Sequence, residues 1–320
     1  MTIHVAAGAI IKSDGRVLLS KRAKHAHQGG MWEFPGGKLE PGESPVQALA
    51  RELKEELDIQ PKHCEPLIRI RHDYGDRKLL LDFYRITDFA GEVTGMEGQP
   101  LRWLWPEDML PEEFPAADRP VITALKLPRR YMITGDDPTQ TSQFLNRLEW
   151  ALEKGISLVQ LRAHQLPDAV YRDLLHQVQQ RCFSTGAKVV INRPERILDW
   201  IGEADGIHLT SRGLISQVRR PLGEGMIGAS CHSMAELKHA ERLGLDYALL
   251  SPVQMTASHP QATCLGWERF ANWVERVNLP VYALGGVEDS DLSNASMSGA
   301  QGIAGISTYW RSVSKSIIGN

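Results

Sequence analysis

The chain has 320 residues, more than one domain usually holds, so two hydrophobic cores are the default expectation. Its net charge of -3 with 23% charged residues gives no reason to expect a nucleic-acid surface or a membrane patch. No stretch approaches the roughly 20 apolar residues that span a bilayer, and Cys64, Cys182, Cys231 and Cys264 lack metal-ligand spacing; reduced thiols and a soluble, cytoplasmic protein are expected.

In chain order, residues 1–8 carry neither a basic region nor a long apolar run before Lys12, which predicts a strand and not a signal peptide. A glycine-rich turn follows at Gly36-Gly37-Lys38-Leu39-Glu40-Pro41-Gly42-Glu43. Next comes a helix with its own start signals. Ser44 suits the N-cap, Pro45 the first helical position, and Gln47 completes a capping box. Val46, Leu49, Ala50, Leu53 and Leu57 form an apolar stripe. Residues three and four apart share a face, so Glu52, Glu55 and Glu56 converge on the other side. Clustered carboxylates repel one another. A hard divalent cation, Mg2+ or Mn2+, removes that repulsion, while ion pairs with Arg51 and Lys54 on a solvated helix account for the same three acids.

Gly37, Glu43, Arg51, Glu52, Leu53, Glu55, Glu56 and Ile59 fall on the pattern G-x5-E-x7-R-E-U-x-E-E-x-G-U, and the segment resembles the Nudix hydrolases. Asp58 stands where that pattern has glycine. The position closes the helix in a left-handed conformation that Asp tolerates, so a small stability cost is expected. Ser20–Ala23, Trp32–Lys38, Glu97–Pro100 and Phe114–Ile122 extend the resemblance to the MutT type, the 8-oxo-dGTP diphosphatases, over roughly residues 1–128.

That resemblance implies an α/β/α sandwich. It implies metal ligation by the Gly37 carbonyl, Glu52, Glu55, Glu56 and Glu97, with Glu52 also activating water and Glu55, Arg51 and Glu43 completing the catalytic set. Arg22, Phe34, Lys38 and Arg77 would contact a nucleoside triphosphate, and Asp118 would face the base edge. The family has asparagine at that place. An ionised aspartate only accepts hydrogen bonds, which predicts a weaker preference for 8-oxo-dGTP and better use of 8-oxo-dATP. Plainer readings stand beside these: Phe34 as core, Arg22 and Arg77 as surface cations, Glu97 as a solvated loop residue, and Asp118 in solvent or paired with Arg119.

The boundary is expected at Leu127-Pro128-Arg129-Arg130, giving domains 1–128 and 129–320. From Tyr131 onward short apolar strands alternate with helices. Strands are expected at 131–134, 156–162, 188–192, 206–210, 226–232, 247–253, 280–286 and 302–307, and helices at 144–154, 234–243 and 267–277. Eight such units predict a (βα)8 TIM barrel. Gly285 and Gly286 end the seventh strand, and Gly305 and Ser307 the eighth. Phosphate commonly binds there, although a glycine at a strand end also serves as a plain turn.

Val159–Arg162, Val190–Asn192, Asp205–Leu209, Gly228–Ser233 and Leu284–Gly286 are similar to the thiamine phosphate synthase and TenI superfamily over about residues 130–310. This implies a phosphorylated thiazole or pyrimidine ligand, contacted by Gln160, Arg162 and Asn192. The departures are specific. His164 replaces a lysine, Arg193 replaces a magnesium-binding aspartate, Ser211-Arg212-Gly213 stands in the second aspartate's region, and Thr256-Ala257-Ser258-His259 replaces a Thr-x-Thr-Lys pyrophosphate loop. His232 falls on the tautomerase branch's histidine, which moves protons without a metal, or it is simply bonded to a neighbouring backbone group. The expected activity is hydrolysis of a nucleoside triphosphate to monophosphate and pyrophosphate. Alternatives are a thiamine-pathway enzyme acting on pyrimidine or thiamine pyrophosphates, and a hydrolase regulated by a noncatalytic barrel.

Overall fold

The structure, a computed structural model, describes residues 2–24, 27–135, 138, 140–193, 202–221, 225–256 and 263–310. It divides into two compact units, Met1–Leu127 with Val274–Pro280, and Pro128–Trp273 with Val281–Asn320.

The first unit is built on strands β1 (Thr2–Ile10), β2 (Val17–Lys21), β3 (Trp32–Glu33), β4 (Gly36–Lys38), β5 (Gln60–Pro61), β6 (Glu65–Asp73), β7 (Lys78–Ile86), β8 (Phe89–Ala90) and β9 (Leu101–Leu104), with helices α1 (Pro45–Leu57) and α2 (Arg119–Lys126). The main sheet runs β4-β1-β7-β6. β1 and β7 are parallel along their whole length, from Thr2 opposite Lys78 to Ile10 opposite Ile86. Ala48, Leu49, Leu53 and Leu57 of α1 pack with Ala6, Ile10, Leu18 and Ile86. Val121, Ile122 and Ala124 of α2 join Phe34, Phe83 and Phe114 in a second cluster. The central strands thus bury side chains on both faces, one helix to each.

α1 begins as its sequence specifies, with Ser44 and Gln47 in a reciprocal capping box and Pro45 at the first turn. It ends on Asp58 in the left-handed region, φ 56° and ψ 31°. The expected stripe is displaced by a fraction of a turn: Val46 is exposed and Ala48 buried in its place.

The second unit is a closed barrel of eight parallel strands: β10 (Arg130–Ile133), β11 (Leu158–Leu161), β12 (Lys188–Ile191), β13 (Gly206–Leu209), β14 (Met226–Cys231), β15 (Tyr247–Leu250), β16 (Val281–Leu284) and β17 (Gly302–Gly305). It closes where Tyr131 lies opposite Ala304. Helices α3 (Thr141–Glu153), α4 (Asp168–Thr185), α5 (Ser211–Ile215), α6 (Met234–Arg242), α7 (Gly266–Val274) and α8 (Leu292–Met297) alternate with the strands. Among the described residues no helix is long and apolar enough to cross a membrane.

Candidate functional site

In the first unit a tight strand-to-helix approach gathers the acids. A Cβ on Gly37 would lie 2.2 Å from the carboxylate of Glu52, so only glycine lets α1 bring that carboxylate against β4. Arg51 organises the cluster. Its Nε and Nη2 donate to both oxygens of Glu43 at 2.9 and 3.0 Å, Nη2 also donates to the Lys38 carbonyl at 3.0 Å, and Nη1 reaches Glu52 at 3.0 Å and Glu55 at 3.3 Å. The Arg51 hydrogen bonds hold the Glu43 carboxyl down at about 2. Glu43 and Arg51 are therefore taken up with each other and position Glu52. Glu55 is at the rim, its side chain 58% exposed.

Glu56 is the most strained of these acids. Burial, and then repulsion by Glu33 and Glu52, push its carboxyl up to about 8, with Glu97 adding to the effect; the Gly36 amide, 3.3 Å away, opposes it. Among the described residues no three of these acids close into a ready-made cage. Mg2+ and Mn2+ do not require one, since they keep waters and are completed by substrate phosphates. The partly buried carboxyl groups of Glu52 and Glu56, gathered beside Gly36 and Gly37, are a donor set that fits such a cation.

Arg22 forms an ion pair with Glu33 and donates to the His27 carbonyl at 3.0 Å. Burial raises the Glu33 carboxyl against the pull of Arg22. Asp118 is 6% exposed. Burial and, next, the charge of Glu33 push its carboxyl up to about 8, with Arg22 opposing. Burial thus works against the ionised acceptor expected from the sequence and favours the protonated acid.

Phe34 is 3% exposed and packs edge-on against Phe83 and at a tilt against Phe114. It is core and offers no free face for stacking. Arg77 is in the β6–β7 turn, where its guanidinium is paired with Asp76 at 2.8 Å. Lys38 contributes its carbonyl to Arg51, and its side chain is exposed. Sequence reasoning missed Glu33. The only signal was its place in the segment Trp32–Lys38, since its neighbours Glu56 and Asp118 are remote in sequence.

In the barrel, Gly285 and Gly286 have φ of 94° and 70°, and a Cβ on Gly286 would lie 2.3 Å from the Met255 carbonyl oxygen. Gly305 lies on β17, buried, with exposed Ser307 just beyond. Gln160 is buried and accepts from the Tyr131 hydroxyl at 3.0 Å. Asn192 donates to the His208 carbonyl at 2.7 Å. The Arg162 amide donates to Thr134, and its side chain is exposed. His232 is exposed, with Nδ1 3.0 Å from the Ser251 carbonyl.

A buried chain that the sequence did not disclose runs through the core. Tyr131 meets Tyr247 hydroxyl to hydroxyl at 2.9 Å, Tyr247 meets His208 Nδ1 at 3.2 Å, and His208 Nε2 meets Ser230 Oγ at 2.9 Å. Burial lowers His208 to about 3, so it is neutral. Its members stand on four different strands, β10, β13, β14 and β15. Of the expected pyrophosphate-loop positions, residues 257–259 lie outside the described residues.

The NUDIX domain family matches residues 6–124, and the family described as thiamine monophosphate synthase matches residues 130–309. An 8-oxo-dGTP diphosphatase of Escherichia coli is 38% identical over 124 residues, 39% of this chain and 96% of that protein. A CTP pyrophosphohydrolase of the same species is 40% identical over 116 residues, 36% of this chain and 86% of that protein. A protein of Aquifex aeolicus, provisionally named thiamine-phosphate synthase 2, is 38% identical over 186 residues, 58% of this chain and 99% of that protein. With an acid-lined strand-to-helix turn on one unit and a closed parallel barrel in the other, the chain is a hydrolase joined to a TIM barrel. It belongs to the Nudix family, as an 8-oxo-dGTP diphosphatase homologue, in its first part, and to the thiamine monophosphate synthase family in its second.

Proposed function

We propose that the first domain, residues 1–128, hydrolyses 8-oxo-dGTP to 8-oxo-dGMP and pyrophosphate with Mg2+ or Mn2+, and that the second, residues 129–320, holds a small phosphorylated ligand. The observation that carries the first reading is geometric: glycine at position 37 lets the Glu52 carboxylate lie against β4, Arg51 ties Glu43, Glu52 and Glu55 together, and Glu56 accepts from the Gly36 amide at 3.3 Å. The Gly37 carbonyl, Glu52, Glu56 and Glu97 would hold the cation, with Glu55 at the edge. A bound divalent cation supplies neutralisation of phosphate charge. Glu52, fixed by Arg51, is the group that takes the proton from attacking water. Arg51 and Glu43 keep it aimed.

Asp118 reads the base. A protonated carboxyl donates through O–H and accepts through its carbonyl, the same pair an asparagine amide offers to N7–H and O6 of 8-oxoguanine. Arg22, locked to Glu33, closes that side of the pocket. In the second domain Gly285, Gly286, Gly305 and Ser307 cradle a phosphate, and Gln160, Arg162 and Asn192 line the ligand's path; His232 is available for proton transfer.

The test is kcat/KM of the full chain for 8-oxo-dGTP, dGTP and CTP, with product analysis. Preferred release of pyrophosphate from 8-oxo-dGTP is expected. A preference for CTP, or release of inorganic phosphate, contradicts the reading.

A further inference from the structure

The thiamine monophosphate synthase resemblance implies a divalent cation bound by carboxylates at the barrel mouth. The residues at both of those places do not fit one. After Asn192 the chain has Arg193, and its guanidinium is consumed by the connection between β11 and α4. Nη1 donates to the carbonyls of Leu166, His164 and Ala163 at 3.0, 3.2 and 3.4 Å, Nη2 pairs with Asp168, and the group lies 4.7 Å from the centre of the Tyr171 ring. Its side chain is 12% exposed. A cation there would meet a buried positive charge, and the Asp168 carboxylate is held by the arginine.

The second place is filled differently. Ser211, Arg212 and Gly213 form the first turn of α5, capped by Thr210, whose hydroxyl accepts from the Gly213 amide at 3.1 Å. Ser211 donates to Glu236 at 2.7 Å, and Glu236 also accepts from the amides of His232 and Ser233 as the capping box of α6. Glu236 is therefore taken up by the Ser211 hydroxyl and two backbone amides. The described polar groups beside these two places carry no negative charge: Asn192 is bound to the His208 carbonyl, and Ser230 to a neutral His208.

We propose that the barrel binds a phosphate monoester without a divalent cation, and that Arg193 is a positioning residue that fills the metal's place and fastens the β11–α4 connection. The inference rests on the reading of Gly285 and Gly286 as the phosphate cradle. A monoester brings less charge than a diphosphate, and backbone amides with one end of a neutral polar chain can accept it without a counter-ion. A diphosphate has no carboxylate-held metal to neutralise it here.

The test is calorimetric titration of the full chain with thiamine monophosphate, the product class named by its relatives, in EDTA and again in millimolar Mg2+. Inorganic diphosphate and a Gly286→Val variant serve as controls, and circular dichroism confirms that the variant is folded. Equal affinity in the two buffers, lost in Gly286→Val, with no Mg2+-dependent binding of diphosphate to the barrel, is the expected result. Tightening by about tenfold or more on adding Mg2+, equivalent to about 1.4 kcal/mol, overturns the metal-free site while leaving the phosphate cradle standing. Absence of binding in both buffers, or binding that Gly286→Val does not change, overturns the cradle reading and this proposal with it.

Discussion

In the first unit burial of Glu56, and then the charges of Glu33 and Glu52 with a smaller push from Glu97, raise its carboxyl to about 8. At the barrel mouth the corresponding kind of place is filled by Arg193, already satisfied by Asp168 and three carbonyls. Both units keep their family's backbone devices: Gly37 and the α1 capping box in one, Gly285, Gly286 and the α6 capping box in the other. Only one keeps the family's charges. Fold and chemistry are carried by different residues, so a barrel can remain intact while the groups that held its metal are replaced.

The largest expected effect that tests this contrast is in the first unit. Glu52→Gln should lower 8-oxo-dGTP turnover by about 10²–10⁴-fold, the range for loss of a general base. Folding should barely change, because Ala48, Leu49, Leu53 and Leu57 on the other face of α1 carry its packing. Retention of more than about a tenth of wild-type kcat would mean that Glu52 is not the base.

A smaller effect, about 1–3 kcal/mol in discrimination, concerns the base edge. With its carboxyl at about 8, Asp118 donates at neutral pH and loses that ability as the pH rises through about 8. The ratio of kcat/KM for 8-oxo-dGTP over 8-oxo-dATP should therefore fall across that interval in the wild type and stay level in Asp118→Asn. The same shift has a stability sign. The folded-state value is raised above 3.8 to about 8, so the proton's contribution is complete below pH 3.8 and is lost as the pH climbs through 8. Urea unfolding at stepped pH should show that decline in the wild type and a smaller one in Asp118→Asn, where Glu56, also raised to about 8, still contributes. A ratio and a stability that move together in both proteins would remove Asp118 from base recognition.

Much of this architecture could be read from local signals. The Ser44–Gln47 box, the left-handed Asp58 and the eight barrel strands depend on neighbours within a few residues, and the periodicity of short apolar runs located them. The stripe on α1 was placed slightly off because Val46 at the first turn projects to solvent while the smaller Ala48 faces β1. α4 was not foreseen: its buried Tyr171, Leu174, Leu175, Val178 and Cys182 follow helical spacing, but polar residues dilute the pattern. The raised carboxyl of Asp118 could not be read at all, since it follows from burial and from Glu33, which stands far away in the chain. The Tyr131–Tyr247–His208–Ser230 chain is hidden for the same reason, its members coming from separate strands that meet only in the closed barrel.

The central claim is that the divalent cation belongs to the acids of the first unit and that the barrel has none. Titration of the full chain with Mn2+, read by electron paramagnetic resonance, measures this directly. Binding should be present in the wild type and abolished in the Glu52→Gln, Glu56→Gln double variant, with no second class of sites left behind. Wild-type Mn2+ binding in the folded double variant would contradict the account.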